Sequence, residues 1–390
     1  MRTRRAIMGG AAGLVLSGLG YRAWDRGVFS AETGPAYMPW RTWQGRDTKS
    51  VHRPLHAAIL AANPHDTQPW LFAAEGNTIT VFADRTRNLG TMDPFRREMH
   101  LGLGCAVENI VLAARAWGFG ATVMPAGGVL SLLPGNAVIR AAQITLRPAT
   151  SQPDALYYAI PHRHTNRGAF LPDRAIPPGW LGYVAQTISN DVVRVMFITD
   201  HRARIDLGAI MVEATGHIIA DPAMSGDSAR WLRTGRREID AHRDGVTMDS
   251  AGLSPLMLFA AKMLPDVGVQ AADQGWLTMT RDTQIPSAPV LGIIFVRDRF
   301  DMAQAIAAGR AWQRLHLWAT AAGLAAQPIN QPVEMADRHR MLGKPDGFAS
   351  ALSKFAGTPG WDQTFSFRMG HAERNAGPSP RRPLAVVLKT

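Results

Sequence analysis

Three short stretches of this 390-residue chain carry residue types able to do chemistry. The first, Asn63, Pro64, His65, Asp66, Thr67, Gln68, Pro69 and Trp70, is a polar loop closed by Gln-Pro-Trp. The second, Arg163, His164, Thr165, Asn166 and Arg167, sets two arginines about a hydroxyl, and the third, Pro380, Arg381, Arg382 and Pro383, is a basic pair close to the C-terminus. Guanidinium groups gathered in this way suit an acidic or phosphorylated small ligand, because planar, permanently charged donors form paired hydrogen bonds to oxyanions. Taken singly, each stretch also has a plain structural reading: a strand start with a buried indole, a solvated surface turn, and a basic tail.

Other chemistries are excluded. The chain has no GxxxxGK[ST] loop, no GxSxG elbow and no HExxH; Gly102, Gly104 and Val107 begin a dinucleotide-type pattern and lose it at the third glycine. The histidines, His162 and His164 included, lack further ligands at metal-site spacing, so no metal is expected. The single cysteine, Cys105, rules out an internal disulfide and a cysteine-based cluster. Of the formal charge of +11, residues 1–30 carry +4 (Arg2, Arg4, Arg5, Arg22 and Arg26 against Asp25), which leaves +7 for the rest. That remainder is scattered, with no basic run interleaved with aromatics, so nucleic acid is not an expected partner.

The elements that must position these residues show a repeat. With 46% hydrophobic and 19% charged residues the chain can bury a large core. Asp93 followed by Pro94 predicts a helix start, and the pattern runs on to Gly118, apolar nearly all round from Cys105 to Trp117, as for a helix buried on several sides. Asp301 to Gly323 reads the same way. Aligning Gly104 with Gly309 also aligns Leu112 with Leu317, Ala114 with Ala319 and Gly118 with Gly323, a constant offset of 205, which predicts a tandem duplication. In the first half a helix is expected at about 55–62, with strands near 70–74, 78–83, 121–124 and 138–145. In the second a helix is expected at about 178–187, strands at 192–199 and 290–296, and a helix at about 202–219. Residues of about 220–285 form an insertion that the first half lacks; it reads as a lid or partner surface, or as core through Leu256, Met257, Leu258 and Met263.

The N-terminus has the three parts of an export signal: a basic start, an apolar stretch from Ala6 to Leu19 too short for a spanning helix, and a polar continuation. The pair Arg4 and Arg5 resembles a twin-arginine (Tat) signal. Val28 and Ser30 offer a weak cleavage site, and an uncleaved signal would tether the protein to the membrane. This segment is expected to stand outside the fold.

Together, the three stretches resemble elements of the nitroreductase flavoprotein family: the loop its P-S-x-x-N-x-Q-P-W element, Arg163 to Arg167 its R-R-S-x-R element, and Arg381 and Arg382 its terminal basic pair. The stretch from Gly309 through Gly323, Leu324, Pro328, Ile329 and Asn330 resembles the family's core helix and following loop. The tandem form with its middle insertion is similar to the Acg branch. The resemblance implies an α+β, nitroreductase-like fold: two tandem halves forming an intramolecular pseudo-dimer with central antiparallel sheets, long buried helices and a lid insertion. It divides the chain into a signal (1–30), a first half (31–150) and a second half (151–390).

The resemblance further implies FMN as cofactor in a single site. Arg163, Arg381 and Arg382 would hold its phosphate through charge-assisted hydrogen bonds of ~1.5–3 kcal/mol each, and Thr165 would donate to phosphate or ribityl. Arg167 would stand beside N1 and the C2 carbonyl, and the backbone N–H of Asn330 beside N5. His65, Asp66, Thr67 and Gln68 would face the cofactor from the other half, Asp66 departing from the family's asparagine. No side chain is then needed for acid–base catalysis. The expected function is an FMN-dependent oxidoreductase passing hydride to nitroaromatic, quinone or similar acceptors; the alternative is an FMN-binding or sequestering protein with little turnover. Export through the Tat machinery, to the periplasm or outer face of the cytoplasmic membrane, would remove the NAD(P)H pool and leave the donor open.

Overall fold

The computed structural model describes residues 18–29, 31–45, 51–132 and 134–389. The twin arginines, the apolar stretch up to residue 17, and Ser30 lie outside the described residues.

The architecture is α+β and doubled. The first half comprises helix α1 (Arg53–Ala58), strands β1 (Trp70–Glu75) and β2 (Thr78–Ala83), helix α2 (Arg97–Ala116), and strands β3 (Phe119–Pro125) and β4 (Ile139–Pro148). The second comprises α3 (Pro178–Ile188), β5 (Val193–Ile198), α4 (His201–Ala220), α5 (Pro255–Met263), β6 (Val290–Val296), α6 (Met302–Ala321), β7 (Ala325–Pro328), α7 (Gln331–Met341) and β8 (Asp362–Gly370). Each half forms a four-stranded sheet in which neighbouring strands run antiparallel. The spatial orders are β1-β2-β4-β3 and β5-β6-β8-β7, the same winding twice.

The two long helices meet at the glycines that set the repeat. A Cβ on Gly104 would lie 2.2 Å from the Ile306 carbonyl oxygen, and one on Gly309 would lie 2.0 Å from that of Leu101. Leu101 and Ile306 are themselves 205 apart, so the contacts are reciprocal, as at a two-fold interface between identical subunits. Small residues bring the backbones together, and a buried polar network then joins the halves. Gln313 Nε2 donates to Asn109 Oδ1 (2.8 Å), Asn109 Nδ2 donates to Ala57 O (2.8 Å), and Gln313 Oε1 accepts from the Ala62 N–H (3.1 Å). Met99, Leu103, Val107, Ile110, Leu315 and Leu317 are buried, each contributing roughly 1.5–3 kcal/mol in apolar transfer. Cys105 is buried among them, its thiol on the Gly309 carbonyl.

Several expectations need correction. Asp93 does cap a helix, its carboxylate accepting from Glu98 N (3.1 Å) and Met99 N (2.9 Å), but Pro94 is not the first residue. The helix starts at Arg97 because Arg96, at φ 63°, turns the chain between cap and helix. The second half's additional chain begins earlier than residue 220. The two-residue turn Gly76–Asn77 that joins β1 to β2, with Gly76 at φ 56°, is matched between β5 and β6 by the whole of 199–289, α4 included. Leu256 and Met257 are exposed, against the core reading. Strands β7 and β8, the counterparts of β3 and β4, and helix α7 were not announced by sequence patterning. Residues 18–29 are not outside the fold: 18–25 are helical, Arg22 Nε donates to Lys262 O (3.2 Å), and Arg26 pairs with Asp266.

Candidate functional site

The loop 63–70 is strained and braced. His65, Asp66 and Gln68 stand in the left-handed region at φ 47°, 55° and 49°, each at a cost of order 1–3 kcal/mol for a residue with a Cβ. The Asn63 side chain holds the curl, Oδ1 accepting from Gln68 N (2.7 Å) and Nδ2 donating to Asp66 Oδ1 (3.2 Å). Strain persists where surrounding structure over-determines it, most often at ligand sites.

Against this loop lies a small cleft of about 50 Å³, partly open to solvent. Asn63 and Asp66 come to it from the loop, Arg163 to Arg167 from the segment before α3, Gly377 to Arg381 from the tail, and Gly245 to Ser250 from the 199–289 excursion. Three arginines line it: Arg163 and Arg381, both buried, and the half-buried Arg167. The only carboxylate in the lining is Asp66.

Arg381 Nη1 pairs with Asp66 and donates to Ser379 Oγ (2.6 Å) and Pro380 O (2.8 Å), while Nη2 reaches Ala61 O (3.2 Å). Arg163 Nη2 donates to Leu60 O (3.1 Å), and Nη1 lies 3.4 Å from His316 Nδ1. Arg167 Nη1 donates to Ser250 O (3.1 Å). The Nε of both buried arginines and Asp66 Oδ2 are buried with no protein partner.

Burial first, and the arginines second, shift the neighbouring groups. Burial, with Arg167 nearby, takes His65 down to about 4, and burial, with Arg163 and Arg381, takes His164 down to about 3. His316 is held well below the usual histidine range by burial and Arg163. Burial and Arg381 together bring Arg163 down to about 9. Burial pushes Asp66 up to about 6 even against the pull of Arg381. The low histidine values report burial first and the arginines second, and orphaned guanidinium N–H groups have the donor chemistry that a phosphate accepts.

Of the ten sequence-predicted site residues the structure brings five to the cleft: Asp66, Arg163, Thr165, Arg167 and Arg381. The other five stand apart from its lining. Gln68 is consumed internally, Nε2 donating to Arg243 O (2.8 Å) and Pro380 O (3.3 Å) and Oε1 accepting from Arg382 N (2.8 Å). Arg382 lays its guanidinium on Gln68 O (3.3 Å), so it is a brace between tail and loop. His65 Nε2 lies 3.0 Å from Ser228 Oγ, and Thr67 is buried. The side-chain amide of Asn330 donates to Glu98 and its Oδ1 accepts from Ser366 N (3.1 Å); the residue, whose backbone N–H was the expected donor, is not in the cleft lining.

Sequence reasoning included Asn63 and His164 in its polar stretches but missed the bracing role of Asn63, which shows only once the loop is curled, and the place of His164 in the lining. It also missed Trp40, whose ring centroid lies 4.7 Å from that of His164 and 4.8 Å from Arg381 Cζ. Nothing in their residue types signals Gly245, Val246, Ser250, Gly377 and Ser379.

Fold and cleft define a doubled α+β chain with a small cleft lined by arginines where its halves, tail and insertion meet. No protein-family model matches it. Among curated proteins it is similar to "Putative NAD(P)H nitroreductase Rv3131" of Mycobacterium tuberculosis, 26% identical over 359 residues, 88% of this chain and 92% of that one. It is 31% identical over 160 residues to "Putative NAD(P)H nitroreductase acg" of the same species, 39% of this chain and 45% of that one. Among solved structures it matches the FMN-dependent nitroreductase NfnB of Mycobacterium smegmatis in complex with NADPH, at 18% identity, TM-score 0.37, 60% of this chain and 97% of the other. A nitroreductase with bound FMN from Desulfitobacterium hafniense matches at 14% identity, TM-score 0.35, with coverage of 60% and 95%.

Proposed function

We propose that this protein is an FMN-dependent oxidoreductase of nitroreductase type, reducing nitroaromatic, quinone or similar acceptors. The observation that carries the reading is the buried arginine cluster with orphaned donors and a lone carboxylate, and the full-length similarity to a mycobacterial protein named as an NAD(P)H nitroreductase supports it. Arg163 and Arg381 would hold the phosphate, Thr165 would add a hydroxyl, and Arg167 would bring its cation to the ring. FMN when bound supplies the chemistry of accepting a hydride and passing it on. The residues present fit the phosphate end; Asn330 is not in the cleft lining, so no contact to the ring is assigned to it.

Residues 220–285 act in this proposal as a lid, and one observation favours the alternative of FMN sequestration with little turnover. The covering segment is tied down: Asp244 pairs with Arg87, Gly245 N donates to Asp66 O (3.2 Å), and Trp231 Nε1 donates to Asn88 O (3.2 Å). Export by the Tat route, with a non-nicotinamide donor such as a quinol, belongs to the same proposal. Purified protein should be yellow and should bleach anaerobically with NADH, NADPH or a quinol, regaining colour on addition of a nitroaromatic. Protein that is yellow and bleached by none of them would establish sequestration, and protein unable to take up FMN would defeat both readings.

Asp66 sets a pH dependence. It is ionised above about 6 and then opposes an incoming phosphate; below that it is neutral. Asp66→Asn should bind FMN about tenfold more tightly than wild type at pH 8 and about equally at pH 5, by fluorescence titration. A ratio that does not change with pH would remove Asp66 from the binding equilibrium.

A further inference from the structure

Helix α5 is turned inside out. Ser254 caps it, accepting from Met257 N (3.3 Å), and Pro255 opens it, so its helical state is well specified. Its lysine, Lys262, is 3% exposed, with Nζ donating to Asp249 Oδ1 (2.7 Å) and to Gly27 O (3.2 Å), while Leu256 is 77% exposed and Met257 and Phe259 are half exposed or more. At 100° per residue Leu256, Met257, Phe259, Met263 and Leu264 fall on one arc, opposite Leu258 and Lys262. A surface helix in water does the reverse, and a contiguous apolar patch of this kind marks an interaction face.

A second exposed apolar group, on residues 18–29, is tied to the C-terminal end of α5. Arg22 and Arg26 bind them to the end of α5 through Lys262 O and Asp266, and they add Leu19, Tyr21, Trp24 and Phe29, the last 87% exposed. Arg237 lies 5.7 Å from the Tyr21 ring and 5.5 Å from the Trp24 ring. Exposed aliphatics beside tyrosine, tryptophan and arginine are the side chains that settle at a lipid–water boundary, where ring and guanidinium span apolar and wet layers. The sequence leading into this face, Ala6 to Leu19, has no charged residue, so the apolar character runs unbroken from the N-terminal stretch onto the patch.

We propose that α5 and residues 18–29 form one bilayer-docking face, with the 199–289 excursion seated on a lipid surface. The partner is lipid rather than a second copy because the face is continuous with that uncharged stretch. Lipid engagement then bears on the same excursion that supplies Gly245, Val246 and Ser250 to the cleft.

The test uses the full chain and vesicles of mixed phosphatidylcholine and phosphatidylglycerol. Wild type should co-sediment with vesicles, and the triple variant Leu256→Ser, Phe259→Ser, Leu264→Ser should lose at least about tenfold in partitioning, because three apolar side chains leave the lipid. An environment-sensitive dye on Leu256→Cys, with Cys105 buried, should brighten and shift to the blue on vesicle addition. Equal partitioning of wild type and triple variant would assign binding to the N-terminal stretch alone and overturn the proposal. So would an unshifted dye, or a protein dimer that the triple variant abolishes while vesicle binding stays the same.

Discussion

Gly309→Ala is expected to lower the free energy of unfolding by about 2–3 kcal/mol, although alanine is the better helix former by ~1 kcal/mol. The methyl group would arrive 2.0 Å from the Leu101 carbonyl oxygen and 2.7 Å from its carbon, backbone atoms with no rotamer to change. The two long helices must therefore move apart, and every side chain along their crossing loses contact together with the Asn109–Gln313 network. Gly216→Ala is the internal control. That glycine lies in α4 with nothing within 4 Å of an added Cβ, so the propensity gain stands alone and stability should rise by up to about 1 kcal/mol. Urea denaturation of both variants decides the matter: a Gly309→Ala protein as stable as Gly216→Ala would mean the crossing is not close-packed.

Arg381→Met should weaken FMN binding by at least about thirtyfold, the worth of one lost charge-assisted contact of ~2 kcal/mol or more. Arg382→Met should change it less than about threefold. The sequence makes these neighbours equivalent; the structure separates them, since one guanidinium lines the cleft and the other rests on Gln68 O. Removing Arg381 also strands the buried Asp66, which would rise further in pKa and distort the loop. The double variant Asp66→Asn, Arg381→Met isolates the phosphate contribution, and there too binding should stay well below that of Asp66→Asn alone. Equal losses for Arg381→Met and Arg382→Met in fluorescence titrations would return the two to equivalence.

The fold was legible where physics leaves a local trace. The glycines at offset 205 announced the duplication, though not the helix crossing that only residues without a Cβ permit there, and the all-apolar strand 290–296 announced a buried position. Strand β8 left no such trace. It is central to its sheet and buried, yet Gln363, Thr364, Ser366 and Arg368 interrupt its pattern, and the partners of Ser366 and Arg368 are remote in sequence. Arg368 alone spans Gln327 Oε1, Gln284 O, Asn166 O and Gly168 O. The site divides in the same way. Charged residues that need a counter-charge, Arg163, Arg167, Arg381 and Asp66, stand out by type, whereas the amide of Gln68 could equally serve a ligand or the chain. Residues contributing mainly backbone, such as Gly245, have no type signature at all.

Because the two-fold crossing of α2 and α6 lies within one covalent chain, it does not obey mass action. A dimer built on the same contact would come apart on dilution; here the partner's local concentration is set by the connecting polypeptide and stays high at any protein level. A protein present at a few copies per cell would keep its halves, and the cleft between them, assembled.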